Sequence, residues 1–281
     1  MKFLIVADSS ADLAKNNCAN ATAPVYSVPL KIITSIKEYV DDEKLNVEVM
    51  VNELEDYKGR SSSSCPNPSD WLEAFGDAEC IFCVTITSGL SGSYNSACMA
   101  KEEYEGEHPD RKVCVIDSLS TGPEMSLIVE KLEKLIESGA DFESICKEIK
   151  QYQTKTGLLF MLESMKNLAN NGRVSPIVAK LAGILGIRVI GKASDCGTLE
   201  QLEKARGESK ALPAILGQMK SLGYVGGRVK IAHCINPRAA QTLAELIKRD
   251  FKKANVEIYH CRGLCSFYAE RGGLLIGFEK K

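Results

Sequence analysis

The stretch "VTITSGLSGSYNSA", residues 84–97, sets a run of β-branched residues directly before a serine- and glycine-rich turn, after which the spacing predicts a helix. Strand, turn and helix in that order form the repeating unit of α/β proteins. The rest of the chain repeats it. Short apolar runs recur at residues 3–7, 25–33, 81–86, 113–116, 158–162, 187–190, 229–232, 256–259 and 274–278. Helical stripes lie between them: Leu127, Ile128, Leu132, Leu135 and Ile136 make one, and Ala239, Leu243, Leu246 and Ile247 another.

This alternation predicts an α/β fold with much parallel sheet. "TKTG" at residues 154–157 breaks the helical pattern, so two domains are expected, 1–156 and 157–281, the first an α/β sandwich on a parallel sheet and the second also α/β. Ligands of such folds bind past the carboxyl ends of strands. In the first half three strand ends run into hydroxyl-rich turns: Asp8-Ser9-Ser10, residues 87–93, and Asp117-Ser118. "KGRSSSSCPNPSDW", residues 58–71, cannot continue a helix and reads as a loop beside those ends, with Ser69 as the expected N-cap of the next helix.

The composition narrows the function. Of 281 residues 44% are apolar and 26% charged, and the net charge is −2 with both signs mixed along the chain, which disfavours nucleic acid as a partner. The first apolar run is too short for a signal segment or a membrane span, so a cytoplasmic protein with no membrane span is expected. Eleven cysteines then read as reduced, packing thiols. Cys80 and Cys83 form a CxxC, but three residues apart on a strand they face opposite sides; Cys261 and Cys265 lack a second ligand pair, and no metal site is expected.

A turn from strand into helix presents backbone N–H groups at the positive end of the helix dipole, and small residues let an oxyanion approach. The turn matches neither a Walker loop nor GxGxxG, so no nucleotide cofactor is expected. It has no Lys or Arg between Val84 and Met99, which suits one carboxylate better than a multiply charged phosphate. Gly89-Leu90-Ser91-Gly92-Ser93 is one residue type away from a GxSxG nucleophile elbow, so a serine hydrolase or acyl transferase using Ser91 or Ser88 is the alternative. Of three histidines only His233, at a strand end, is a good candidate base for it. In "NLANNGRVS", residues 167–175, Gly172 is expected to end a helix, with Arg173 beyond it able to pair with a carboxylate at the domain cleft.

Several of these pieces together resemble the DegV family of bacterial fatty-acid-binding proteins, along the whole chain. "VADSSADL" is similar to the family's strand followed by DSxxDL, "SSSSCPNP" stands where the family has a TSQPSP-like loop, and "TITSGLSGSYNSA" is close to its SSGLSGTYQSA. "VIDS", "LANNGRVS" and "IAHCINPRAA" follow in the family's order. The resemblance implies a long-chain fatty acid held between two α/β domains, its carboxylate at the SGLSG turn and its tail in an apolar tunnel. It further implies a non-enzymatic carrier that presents the acyl group to a separate fatty acid kinase for phospholipid synthesis. Carried over by position, Ser63 and Ser88 would donate to the carboxylate, Ser91 and Ser93 lie in the same turn, and Arg173 matches the family's arginine. Two positions depart from the pattern: Cys65 replaces the usual glutamine, and Tyr268 stands about where the family often carries a histidine before its GG.

Overall fold

The first strand, β1 (Phe3–Asp8), shows how the sequence builds its first layer. Its residues are almost all buried, and their alternation sends Ile5 and Ala7 into one core and Leu4 and Val6 into another. The computed structural model describes residues 2–13, 22–175 and 186–281. Cys18 lies outside them; the other cysteines are free thiols.

β1 is flanked in parallel by β2 (Val25–Val28) and β6 (Cys80–Thr85), and β6 by β7 (Lys112–Asp117), giving the order β2-β1-β6-β7. Helices α2 (Pro68–Phe75) and α3 (Ser93–Glu107) cover one face through Trp71, Phe75 and Tyr104. Helices α4 (Gly122–Glu137) and α5 (Phe142–Gln153) cover the other through Met125, Ile128, Leu132 and Ile145. Cys80 and Cys83 fall in the two different cores, as the period of a strand requires.

The second sheet has the order β10-β9-β8-β13-β11-β12. Its strands are β8 (Thr156–Leu162), β9 (Ile187–Ala193), β10 (Leu199–Arg206), β11 (Arg228–His233), β12 (Asn255–His260) and β13 (Leu274–Glu279). Here the expectation of parallel pairing holds only for β11 with β12; the other neighbours are antiparallel. The final strand inserts between β8 and β11, and β9 turns directly into β10, neither of which needs a helical crossover. Helices α7 (Glu208–Ser221) and α8 (Pro237–Asp250) close one face. Toward the other lie a small antiparallel sheet and short helices: β3 (Lys31–Ile33), β4 (Glu38–Val40), β5 (Ser62–Ser64), α1 (Val47–Asp56), α6 (Lys166–Asn170) and α9 (Gly263–Ala269).

Part of the serine run is therefore strand. Ser63 pairs with Ile32 and Ser64 with Lys31, so cross-strand pairing overrides a composition with no strand preference. Nor does Ser69 cap α2. Asn67 does, in a capping box with Asp70 and with Pro68 at the first helical position, where a missing N–H costs nothing.

α4 ties the two sheets together, packing on β1 and β6 on one side and on β8, β11 and β13 on the other. The approach is close at Gly277, where a Cβ would lie 2.6 Å from the Glu124 nitrogen, so only glycine fits. Lys230, 4% exposed on β11, meets Glu130 of α4 at 2.5 Å and Glu257 at 2.6 Å.

A second tie is polar. Asp41, wholly buried, accepts from the Gly263 and Leu264 amides at 2.7 and 2.9 Å, holding the first turn of α9. Asp12 accepts from the Arg262 amide at 2.9 Å, while its second oxygen has no hydrogen-bond partner among the described residues. Burial pushes the Asp12 carboxyl up to about 8, and nearby Asp41 adds to the rise. A carboxyl raised from 3.8 to about 8 on folding binds its proton more tightly in the native state. Its contribution to stability is complete below pH ~4 and is lost as pH climbs through about 8. Asp12→Asn keeps the acceptor for Arg262 and removes the titration. Urea midpoints measured from pH 5 to 9 should accordingly fall less steeply with pH than those of the unaltered protein.

Candidate functional site

The serine- and glycine-rich turn follows β6, the middle strand of β1-β6-β7, and each flanking strand ends in an aspartate whose carboxylate reaches it. Asp8, fully buried, accepts from the Ile86 amide at 2.8 Å, the Ser93 hydroxyl at 2.7 Å and the Ser10 hydroxyl at 2.5 Å. Burial pushes its pKa up while these hydrogen bonds pull it down. Asp117, at the end of β7, accepts from the Ser88 and Leu119 amides at 3.1 and 3.0 Å. The turn also closes on itself: Leu90 and Ser91 donate to the Thr87 carbonyl, and Gly89 to the Thr87 hydroxyl. Most of its amides are thus spent on shape. The Ser91 hydroxyl accepts from the Ser93 amide at 3.3 Å at the start of α3 and keeps its own proton to donate.

The loop between β9 and β10 presses on this turn from outside. Gly89 lies against the Cys196 and Gly197 carbonyls, and a Cβ at Gly197 would run into the Thr87 hydroxyl. Gly197 also has a φ of +74°, which disfavours any side chain.

Behind the turn lies a cavity lined mainly by apolar side chains. Leu158, Phe160 and Leu162 supply one wall from alternate positions of β8, about 13 Å of strand at ~3.3 Å per residue. Leu30, Leu264 and Leu275 extend the apolar lining. One region is polar: Ser63, Ser91, Arg173 and Tyr268. The Ser63 and Tyr268 hydroxyls are 2.7 Å apart, joining β5 to α9. Burial raises the Tyr268 pKa, opposed by the Ser63 hydrogen bond and the Arg173 charge, so the phenol is neutral near pH 7.

Gly172, with φ +73°, ends α6 as expected, its amide and that of Arg173 returning to the Ala169 and Leu168 carbonyls. Arg173 then reaches across: its Nε donates to the Leu90 carbonyl at 3.1 Å and its Nη1 to the Asn171 carbonyl, with the guanidinium 6.0 Å from the Tyr268 ring centre.

Ser63, Ser91, Arg173 and Tyr268 therefore meet on one cavity, although they lie far apart in sequence. Ser88 and Ser93 do not join that lining. Ser88 is exposed, and Ser93 is buried with its hydroxyl given to Asp8. The organising roles of Asp8 and Asp117 escaped the sequence reading, which noted the hydroxyls at those strand ends; the signal available was an aspartate closing each neighbouring strand.

The hydrolase alternative lacks its base. No histidine among the described residues lines the cavity. His233 is buried at the end of β11, accepts from the Asn236 amide and lies 4.2 Å from the His260 ring; burial, with His260 adding to it, takes its pKa down to about 4. Among the described residues no set of His, Cys, Asp and Glu is grouped to hold a metal, and no helix is long and apolar enough to cross a membrane.

Two α/β layers with an apolar cavity between them, polar at one side, define a small-molecule-binding protein. Residues 2–281 match the family described as "Uncharacterised protein, DegV family", and the chain belongs to the DegV family. It is 45% identical over 279 residues to a DegV domain-containing protein of Streptococcus pneumoniae, covering 99% of each chain. Among solved structures it is similar to a DegV family protein from Eubacterium eligens loaded with heptadecanoic acid, with 46% identity, a TM-score of 0.95 and coverage of 99% of this chain and 100% of that one. It is equally similar to the Streptococcus pneumoniae fatty acid kinase (Fak) B3 protein loaded with linoleic acid, at 45% identity, a TM-score of 0.96 and full coverage of both chains.

Gly197→Ala tests the contact between the β9–β10 loop and the turn. Overpacking against Thr87 together with the unfavourable φ should cost roughly 1–3 kcal/mol, read as a lower urea midpoint with unchanged slope.

Proposed function

We propose that this protein binds a long-chain fatty acid, with its carboxylate at Ser63, Ser91, Arg173 and Tyr268 and its tail along the β8 wall, and presents it to a separate fatty acid kinase. The observation that carries this reading is the pairing of a leucine- and phenylalanine-lined cavity with a small polar region holding one cation and neutral hydroxyls. Such a site suits a single negative charge on a long apolar body. Burial supplies the affinity, at about 0.8 kcal/mol per CH₂, and the hydroxyls and guanidinium orient the head group. The heptadecanoic and linoleic acids in the two solved relatives support the ligand class. The Fak B3 relative supports the kinase partner; a role in supplying acyl phosphate for phospholipid synthesis in the cytoplasm is what the family resemblance implies. In this reading 1–156 and 157–281 are the two domains that enclose the ligand.

The Ser63 and Tyr268 hydroxyls hydrogen-bond to each other. A carboxylate entering between them exchanges one neutral hydrogen bond for charge-assisted ones, each worth about 1.5–3 kcal/mol. Native mass spectrometry of the purified protein should show one fatty acid per chain, and no turnover of p-nitrophenyl esters; empty protein with ester turnover would favour the hydrolase. Ser63→Ala combined with Tyr268→Phe should speed loss of the acid to acceptor vesicles roughly tenfold or more, matching the loss of about 1.5–3 kcal/mol. Ser88→Ala, altering an exposed hydroxyl, should leave that rate unchanged.

A further inference from the structure

Outside the head-group region the cavity wall carries two further polar side chains, Thr121 and Cys265. Thr121 immediately precedes α4, where a threonine hydroxyl ordinarily caps the helix, yet its side chain makes no capping bond. Pro123, in the first turn, has no amide to offer it. The hydroxyl turns instead to the Cys265 sulfur at 3.6 Å, a weak partner. That thiol has its own acceptor, the Ser10 carbonyl at 3.4 Å, so the hydrogen-bonding capacity of Thr121 stays largely uncommitted. Cys265 and Tyr268 are three residues apart on α9, on one face of the helix with ~4.5 Å of rise between them.

A third polar atom stands at the same patch. The point that a Cβ on Gly122 would occupy is 3.2 Å from a Leu275 methyl, 3.4 Å from the Cys265 sulfur and 3.6 Å from Asp12 Oδ2. Leu275 and Cys265 both line the cavity. Asp12 is 4% exposed, and this oxygen is the one without a hydrogen-bond partner among the described residues. Buried polar atoms are nearly always paired in native proteins, so an unpaired oxygen beside an underused hydroxyl marks a place where a polar group is accommodated. Burial keeps the Asp12 carboxyl protonated near neutral pH, and it brings no charge to the wall.

We propose that Thr121 is a second polar subsite of the cavity, which takes a hydroxyl group carried on the acyl chain, so that monohydroxylated long-chain acids are a ligand class of this protein. The inference rests on the fatty-acid reading of the cavity. Against leucine and phenylalanine a chain hydroxyl loses its water without replacement, which penalises a hydroxylated acid. At Thr121 the chain hydroxyl can both donate and accept, and the penalty is removed. With the carboxylate held at one end, only a hydroxyl at a matching distance along the chain reaches Thr121. Selection is therefore by position.

The test measures dissociation constants of the delipidated full-length protein for stearic acid and for stearic acids bearing one hydroxyl at successive carbons. One isomer, or two adjacent ones, should bind roughly tenfold tighter than the others, the factor separating a paired buried hydroxyl from an unpaired one. Thr121→Val, close in shape but without the hydroxyl, should bring the favoured isomer down to the level of the rest, and Thr121→Ser should preserve its lead. Stearic acid binding with all isomers alike would overturn the inference and leave the fatty-acid reading standing, as would a favoured isomer that keeps its lead in Thr121→Val. A protein that binds neither stearic acid nor any isomer would overturn that reading and this inference with it.

Discussion

Two carboxylates at neighbouring strand ends hold the shape of the turn after β6. A serine- and glycine-rich segment has little conformational preference of its own, and a turn that must present donors cannot be left to choose among conformers. Asp8 and Asp117 remove that freedom from opposite sides of β6 by taking the Ile86 and Ser88 amides and the Ser93 hydroxyl. Burying Asp8 carries a desolvation cost, evident in its raised pKa, and its several hydrogen bonds offset it. The parallel order β1-β6-β7 is what makes the arrangement possible, because it brings three strand ends to one edge.

The same use of buried acids joins the two halves. Asp41 and Asp12 hold the start of α9, and α9 carries Leu264, Cys265, Tyr268 and Ala269 into the cavity. Arg173 works in the reverse direction, from the second half to the Leu90 carbonyl of the turn. Polar groups thus set the relative position of the two halves, while the space between them is lined almost wholly by carbon. A site with its polar atoms committed to scaffold contacts exposes few groups that would bind water strongly, and an apolar ligand displaces what water enters at little cost.

Much of the fold was legible because its strands are continuous apolar runs, as buried parallel strands and the centres of mixed sheets must be. β10 was not, since "LEQLEKAR" is an edge strand whose charges face solvent and whose pattern resembles a helix. β5 was hidden for a related reason: three serines carry no periodicity, and only pairing with β3 makes them a strand. Ser63, Ser91, Arg173 and Tyr268, which line one cavity, were singled out through the family resemblance. Their separation from Ser88 and Ser93 was not legible, because neighbouring residues in a turn point in different directions and sequence spacing there reports no face. The antiparallel pairing of the second sheet was also beyond reach, since strand spacing does not reveal that the last strand inserts in the middle.

β8 has cavity on one side and packed core on the other: Leu158, Phe160 and Leu162 look inward, while Leu159 and Met161 belong to the cluster under α7 and α8. Close-packed interiors resist local displacement. The wall is therefore backed by a stiff foundation, and a ligand that does not match its contour must itself bend, since the strand cannot retreat. Discrimination among apolar chains then becomes a question of the ligand's own conformational strain, set by residues that never touch it.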